Sequence, residues 1–266
     1  IARSMATGGD VVVHRYGEEA DQFVRFHFPA KATPADKLAA FVVVHGGFWK
    51  RKFTVDNAGI DTLAPYIART GFAAVEVEYR RPEGAVEDVE AALRAVRAHS
   101  QIDPRSIVVI GHSAGGHLAL VAARTTRVPL LTVAVAPVAD LAAAYERKLS
   151  SDGDAVEKFL GGATPSSDGA LYSALSPVDH LPLETSTLVV TGEEDVDIPL
   201  DLTREFYRRI VESETRRTDK ADVKHAYLQV PAADHYNILD AKSAFWPFVW
   251  NAILNHLHDL DDLIVE

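Results

Sequence analysis

A serine stands between two glycines in Gly111-His112-Ser113-Ala114-Gly115, directly after the apolar run Ser106-Ile107-Val108-Val109-Ile110. The run before it reads as a buried strand, and the Ala- and Leu-rich run after Gly115 reads as a helix. A G-x-S-x-G alone is a common accident of sequence. Placed between a strand and a helix it specifies a sharp turn that leaves the serine exposed at its tip, under the N-terminal amides of the helix. The chemistry such a serine offers is nucleophilic attack on an acyl carbon.

A hydroxyl is a weak nucleophile until a base removes its proton. In strand–turn–helix settings of this kind the acid follows the serine, and the histidine follows the acid in a loop after the last strand. His235, in Gln229-Val230-Pro231-Ala232-Ala233-Asp234-His235-Tyr236-Asn237, is the histidine of that place. The chain has 11 histidines, and most must serve other ends. His225, on the preceding strand, and His256 and His258, on the last helix, read as structural. The acid is expected after the strand Leu188–Thr191, where Gly192-Glu193-Glu194-Asp195-Val196-Asp197-Ile198-Pro199 offers four carboxylates. At least three of them must be solvated loop charges. Asp195 has the G-x-x-D-x-x-x-P spacing and ranks first, with Asp197 as the alternative.

His45-Gly46-Gly47-Phe48-Trp49-Lys50 ends an early strand, Phe41–Val44. By itself such a stretch reads as a plain turn with two core aromatics. Beside a nucleophilic serine it acquires a purpose, because a tetrahedral intermediate needs fixed N–H donors for its oxyanion. The expected donors are the amides of Gly47, Phe48 and Ala114. Phe48 and Trp49 are expected to line the pocket entrance, with His112 and Tyr236 also at the substrate.

These segments need a scaffold. Gln22–Phe28 alternates apolar and polar residues, as a half-exposed strand near a sheet edge does. Strands are predicted at 72–77, 130–136, 188–191 and 223–230. Helices are predicted at 58–69, 86–99, 202–211 and 241–257. The alternation implies an α/β fold, a mostly parallel central sheet flanked by helices. Residues 140–185 break the rhythm and read as a short cap insertion over the C-terminal edge of the sheet. One domain over 5–266 is expected. Ile1 to Ser4 precede the only methionine, Met5, and read as cloning-derived.

Composition narrows the class. The formal charge of −11 disfavours a nucleic-acid surface and an anionic membrane as partners. The absence of cysteine removes thiolate nucleophiles, disulfides and cysteine-ligated zinc, and fits a cytoplasmic location. No run approaches the length of a membrane span, and the N-terminus has no hydrophobic signal core. A small-molecule substrate is the expected partner. The apolar face of the last helix (Phe245, Val249, Ile253) could pack on the core or, in a homodimer, on a second copy.

The motifs together resemble α/β-hydrolases of the arylformamidase (kynurenine formamidase) and small-carboxylesterase branch. His45–Lys50 resembles that branch's HGG-aromatic-Trp loop, Gly111–Leu118 its nucleophile elbow, and Asp234–Leu239 its histidine loop. Phe159–Gly162 and Ser176-Pro177 resemble its cap. The resemblance runs from about Tyr16 to Leu257. It implies the α/β-hydrolase fold and a Ser113, Asp195, His235 triad without metal or organic cofactor, and it makes His45 and His117 loop-shaping residues. It also implies hydrolysis of a small aryl formamide, such as N-formylkynurenine, or of a short-chain or aryl ester. Feruloyl, acetyl and carbamate esterases use the same motifs. Some chains of this fold are non-catalytic ligand-binding proteins, but those commonly lose a triad member or an oxyanion glycine, and none is missing here.

Overall fold

The computed structural model describes residues 10–218 and 222–261. Ile1–Met5 and the extreme C-terminus lie outside them. In chain order the elements are β1 (Val11–Arg15), β2 (Phe23–His27), β3 (Leu38–Val44), α1 (Leu63–Arg69), β4 (Ala73–Glu78), α2 (Ala85–Ala98), β5 (Ile102–His112) and α3 (Ala114–Thr126). There follow β6 (Leu131–Val135), α4 (Leu141–Glu146), α5 (Ala155–Phe159), α6 (Gly169–Leu175), β7 (Ser186–Gly192), α7 (Leu200–Thr215), β8 (His225–Val230) and α8 (Trp246–Asp261).

The eight strands form one sheet in the order β1-β2-β4-β3-β5-β6-β7-β8. β2 runs antiparallel to both β1 and β4, and the pairs from β4 through β8 are parallel. Strand periodicity divides β3 between two cores. Ala40, Val42 and Val44 face the side covered by α2 and α3, with Val89, Leu93, Leu118 and Ala122. Phe41 and Val43 face α1 and α8, with Leu63, Ile67, Trp246, Val249 and Ile253. A strand buried on both faces has no polar face to alternate with, which is why β3 and β5 read as continuous apolar runs. Val249 and Ile253 are fully buried in that second core, so the apolar face of α8 is used within the chain.

Two helix starts differ from expectation. The helix predicted from 58 begins at Leu63, because Thr54–Asn57 closes a turn in which the Asn57 side chain accepts from the Thr54 amide at 2.7 Å. The last helix begins at Trp246 instead of 241. The Ser243 hydroxyl accepts from the Trp246 amide at 3.2 Å, the work of a helix cap. The segment 140–185 carries α4, α5, α6 and a 3-10 turn at Pro177–His180. It adds Phe159, Leu160 and Tyr172 to the α2/α3 core. Among the described residues no helix is long and apolar enough to cross a membrane.

Candidate active site

Ser113 sits between the last residue of β5 and the first of α3, with φ 56° and ψ −121°. A non-glycine residue holds such a conformation only when its surroundings impose it. Here the imposition is close packing. A β-carbon on Gly115 would lie 2.2 Å from the Val44 carbonyl oxygen and 2.4 Å from that of His45, so only glycine lets α3 start against the end of β3. The Ser113 amide donates to Val135 O at 2.9 Å, and its carbonyl accepts from the His117 amide at 3.1 Å. Ser113 is 1% exposed, and its Oγ has no hydrogen-bond partner.

His235 and Asp195 come from the loops after β8 and β7, which pair in parallel and so end on the same edge as β5. His235 Nδ1 donates to Asp195 Oδ2 at 2.7 Å. That bond fixes the tautomer and leaves Nε2 to accept a proton. The other carboxylate oxygen, Oδ1, accepts from the amides of Asp197 and Ile198 at 3.0 and 2.8 Å. Both Asp195 oxygens are therefore committed, and the carboxylate is fully buried. It is Asp195, not Asp197, that the fold hydrogen-bonds to His235. Asp195, Asp197 and His235 also form the metal-compatible cluster among the described residues, with ligand atoms within 4.8 Å of one another. A cation bound through Nδ1 there would have to displace the proton shared with Asp195.

The turn after β3 lies against the elbow. A β-carbon on Gly46 would stand 3.0 Å from Ser113 Cβ and 2.9 Å from His112 O. Gly47, Phe48 and Trp49 all have positive φ (110°, 50° and 54°), and Lys50 N closes the turn on Gly47 O at 3.0 Å. The amides of Gly47 and Phe48 make no hydrogen bond to the described chain. Ala114 is the first residue of α3, so its amide has no intrahelical acceptor either. Three uncommitted donors thus lie on two segments that touch at Ser113.

Sequence reasoning missed what holds that turn. His45 Nδ1 donates to Gly46 O at 2.8 Å, and Tyr79 Oη donates to His45 O at 2.7 Å while its ring stacks on the imidazole. Arg81 donates to His45 Nε2 at 3.1 Å and to Glu78, and Glu78 accepts from the Val55 amide at 2.9 Å. Burial works to raise the Glu78 carboxyl. The polar groups around it outweigh that and hold the group below the usual carboxylate range. The sequence shows only that charged residues, Glu78 before Tyr79 and Arg80 and Arg81 after it, close a strand that already carries Glu76.

The expected substrate contacts fall out differently. Trp49 does not stand at an entrance. It is 1% exposed, its ring stacked on Phe159 of α5 at 4.4 Å, because an indole at this place joins the turn to the cap. Phe48 is half-buried beside it. Tyr236 is 63% exposed, and its ring meets that of His235 edge-on at 5.2 Å. His112 is turned toward the base loop, where its Nε2 donates to His235 O at 2.8 Å. His117 donates to Leu175 O at 2.9 Å, and burial pushes its imidazole down to about 4, so it is a neutral structural ring. His256 likewise binds a backbone carbonyl, that of Lys224.

Residues 26–210 match the BD-FAE family model, a span that includes Ser113 and Asp195 and stops before His235. Comparison with curated proteins finds no match. Among solved structures, a truncated carbohydrate esterase from gut microbiota superposes with a TM-score of 0.73 at 17% identity, over 96% of this chain and 98% of that one. Esterase Est2 of Thermogutta terrifontis, solved with butyrate bound, gives 0.69 at 21% identity over 94% of each chain. Esterase B of Lactobacillus rhamnosis gives 0.69 at 22% identity over 94% of this chain and 85% of that one. The fold is the α/β-hydrolase fold.

Two outcomes follow from this geometry. Asp195→Asn should lower kcat by roughly 10³–10⁴-fold with the fold intact, whereas Asp197→Asn should change it little. Steady-state kinetics of the two variants, with melting curves, checks this. Glu78→Gln should cost about 3–5 kcal/mol at neutral pH, because it leaves the buried Arg81 guanidinium with no carboxylate nearer than Asp21 at 4.0 Å. With its folded pKa depressed, Glu78 contributes stability that is present above its unfolded value of ~4.3 and is lost as the pH falls through the folded one. The gap between wild type and Glu78→Gln in urea denaturation should therefore narrow below that pH.

Proposed function

The chain belongs to the BD-FAE family, and from that membership and its site geometry we propose that it is a serine hydrolase of the esterase type. One observation carries the reading. The buried Asp195–His235 pair, 2.7 Å between Oδ2 and Nδ1, shares a sheet edge with a serine held in a strained strand-to-helix turn. Ser113 Oγ attacks the substrate carbonyl as His235 Nε2 takes its proton, and Asp195 stabilises the imidazolium. The oxyanion is received by the amides of Gly47, Phe48 and Ala114. Collapse expels the leaving group, which takes the proton from His235. Water, deprotonated by the same imidazole, then attacks the acyl-enzyme and releases the acid.

The substrate we propose is an ester with a short acyl group. Trp49, Phe159 and His117 pack on one another beside the oxyanion turn, the rings of Trp49 and His117 at 5.3 Å, and on this reading they close its acyl side against a long chain. Similarity to Est2, which was solved with butyrate, supports a small acyl group. A second reading, an aryl formamide, is favoured by Tyr236. This exposed aromatic ring set against His235 would offer an aromatic leaving group a surface to stack on. Formyl is the smallest acyl group, so both readings share one pocket.

The deciding experiment measures kcat/KM for N-formylkynurenine beside p-nitrophenyl esters of increasing chain length. Each buried methylene would by itself favour binding by ~0.8 kcal/mol, so a rate that falls beyond butyryl means steric exclusion outweighs that gain. Trp49→Ala should flatten the series. A wild-type rate that climbs steadily to octanoyl would refute the closed acyl side.

A further inference from the structure

We propose that His112, the residue before the nucleophile, is a positioning residue for the base: its Nε2–H holds the main chain of His235 where the imidazole can reach the Ser113 proton. The proposal rests on the serine-hydrolase reading above.

The base loop is tied firmly to the acid side. Glu194 N donates to Ala233 O at 2.9 Å, Glu193 N to Val230 O at 3.0 Å, and His235 to Asp195 at 2.7 Å. Gly192 packs so closely beneath this loop that a β-carbon there would stand 2.3 Å from Ala233 O. Toward the elbow the situation is different. Among the described residues one hydrogen bond joins Gly111–Gly116 to the base loop, His112 Nε2 to His235 O at 2.8 Å. Ser113 Oγ makes none. The separation of nucleophile and base therefore hangs on the His112 side chain.

Its chemistry suits that task. A carbonyl oxygen can only accept, so Nε2 bears the proton and Nδ1 the lone pair. Burial, with the charge of His235 adding to it, pushes His112 far below the ordinary imidazole range. The ring stays neutral, keeps its tautomer and does not oppose a positive charge on His235, whose ring lies 4.4 Å away. Nδ1 is buried without a partner. An apolar side chain would fill the same space and leave no desolvated nitrogen. What it could not do is hold the carbonyl.

The test compares wild type, His112→Gln and His112→Leu for kcat and KM on p-nitrophenyl acetate, with the Tm of each. A glutamine amide reaches the same carbonyl, and a leucine cannot donate. His112→Leu should lose kcat by about 10- to 100-fold with KM nearly unchanged, the signature of misplaced catalytic groups. His112→Gln should recover most of that loss. Should the leucine variant fail to fold, His112→Asn replaces it: polar, but too short to reach His235 O, so its kcat should fall while that of His112→Gln does not. The proposal is overturned if a folded His112→Leu keeps wild-type kcat, if the loss appears in KM, or if His112→Gln is no better than the non-reaching variant. A Ser113→Ala chain that still hydrolyses the ester would overturn the serine-hydrolase reading and this proposal together. Any of the former results, alongside an inactive Ser113→Ala, overturns the positioning role alone.

Discussion

The site depends on how closely α3 approaches the end of β3. With the Gly115 α-carbon set against the carbonyls of Val44 and His45, the N-terminus of α3, the turn at Ser113 and the turn after β3 meet. Any side chain at 115 would push them apart. Ser113, at the start of that helix, holds its unfavourable backbone conformation, and the turn at Gly46 packs against its Cβ.

Such an arrangement must be held by its surroundings, since residues at positive φ relax when they can. Two sets of contacts do this. Behind the turn, His45, Glu78, Tyr79 and Arg81 form a buried network of hydrogen bonds. In front, Trp49 is stacked on Phe159, which packs α5 against the turn after β3. The segment 140–185 thereby packs against the turn that follows β3. On the opposite side, the base and acid loops brace each other through backbone bonds and the Asp195–His235 pair.

Much of this was legible in the sequence, for reasons that differ by residue. Ser113 and the HGG turn are readable because sharp turns at strand ends demand glycine at fixed spacing, and the demand is local. His235 is readable from topology, as the histidine after the last strand. The choice of Asp195 over Asp197 rested on spacing; in the structure Asp195 caps its own loop with Oδ1 and bonds His235 with Oδ2. Trp49 was expected at a pocket entrance and lies buried against Phe159, since sequence does not tell whether an aromatic after a strand faces solvent or a helix 110 positions later. His112 was placed at the substrate for the same reason. The Glu78–Arg81 network was invisible, because a charge at the end of a strand ordinarily reads as solvated and only the tertiary fold buries it.

The central claim is that Ser113 is a nucleophile activated by the Asp195–His235 pair. Peptide mapping by mass spectrometry after treatment with a fluorophosphonate tests it most directly. The account predicts one adduct, on Ser113, formed rapidly in the wild type and far more slowly in a folded His235→Ala variant. An adduct on another residue, or labelling of Ser113 at the same rate without His235, would contradict it.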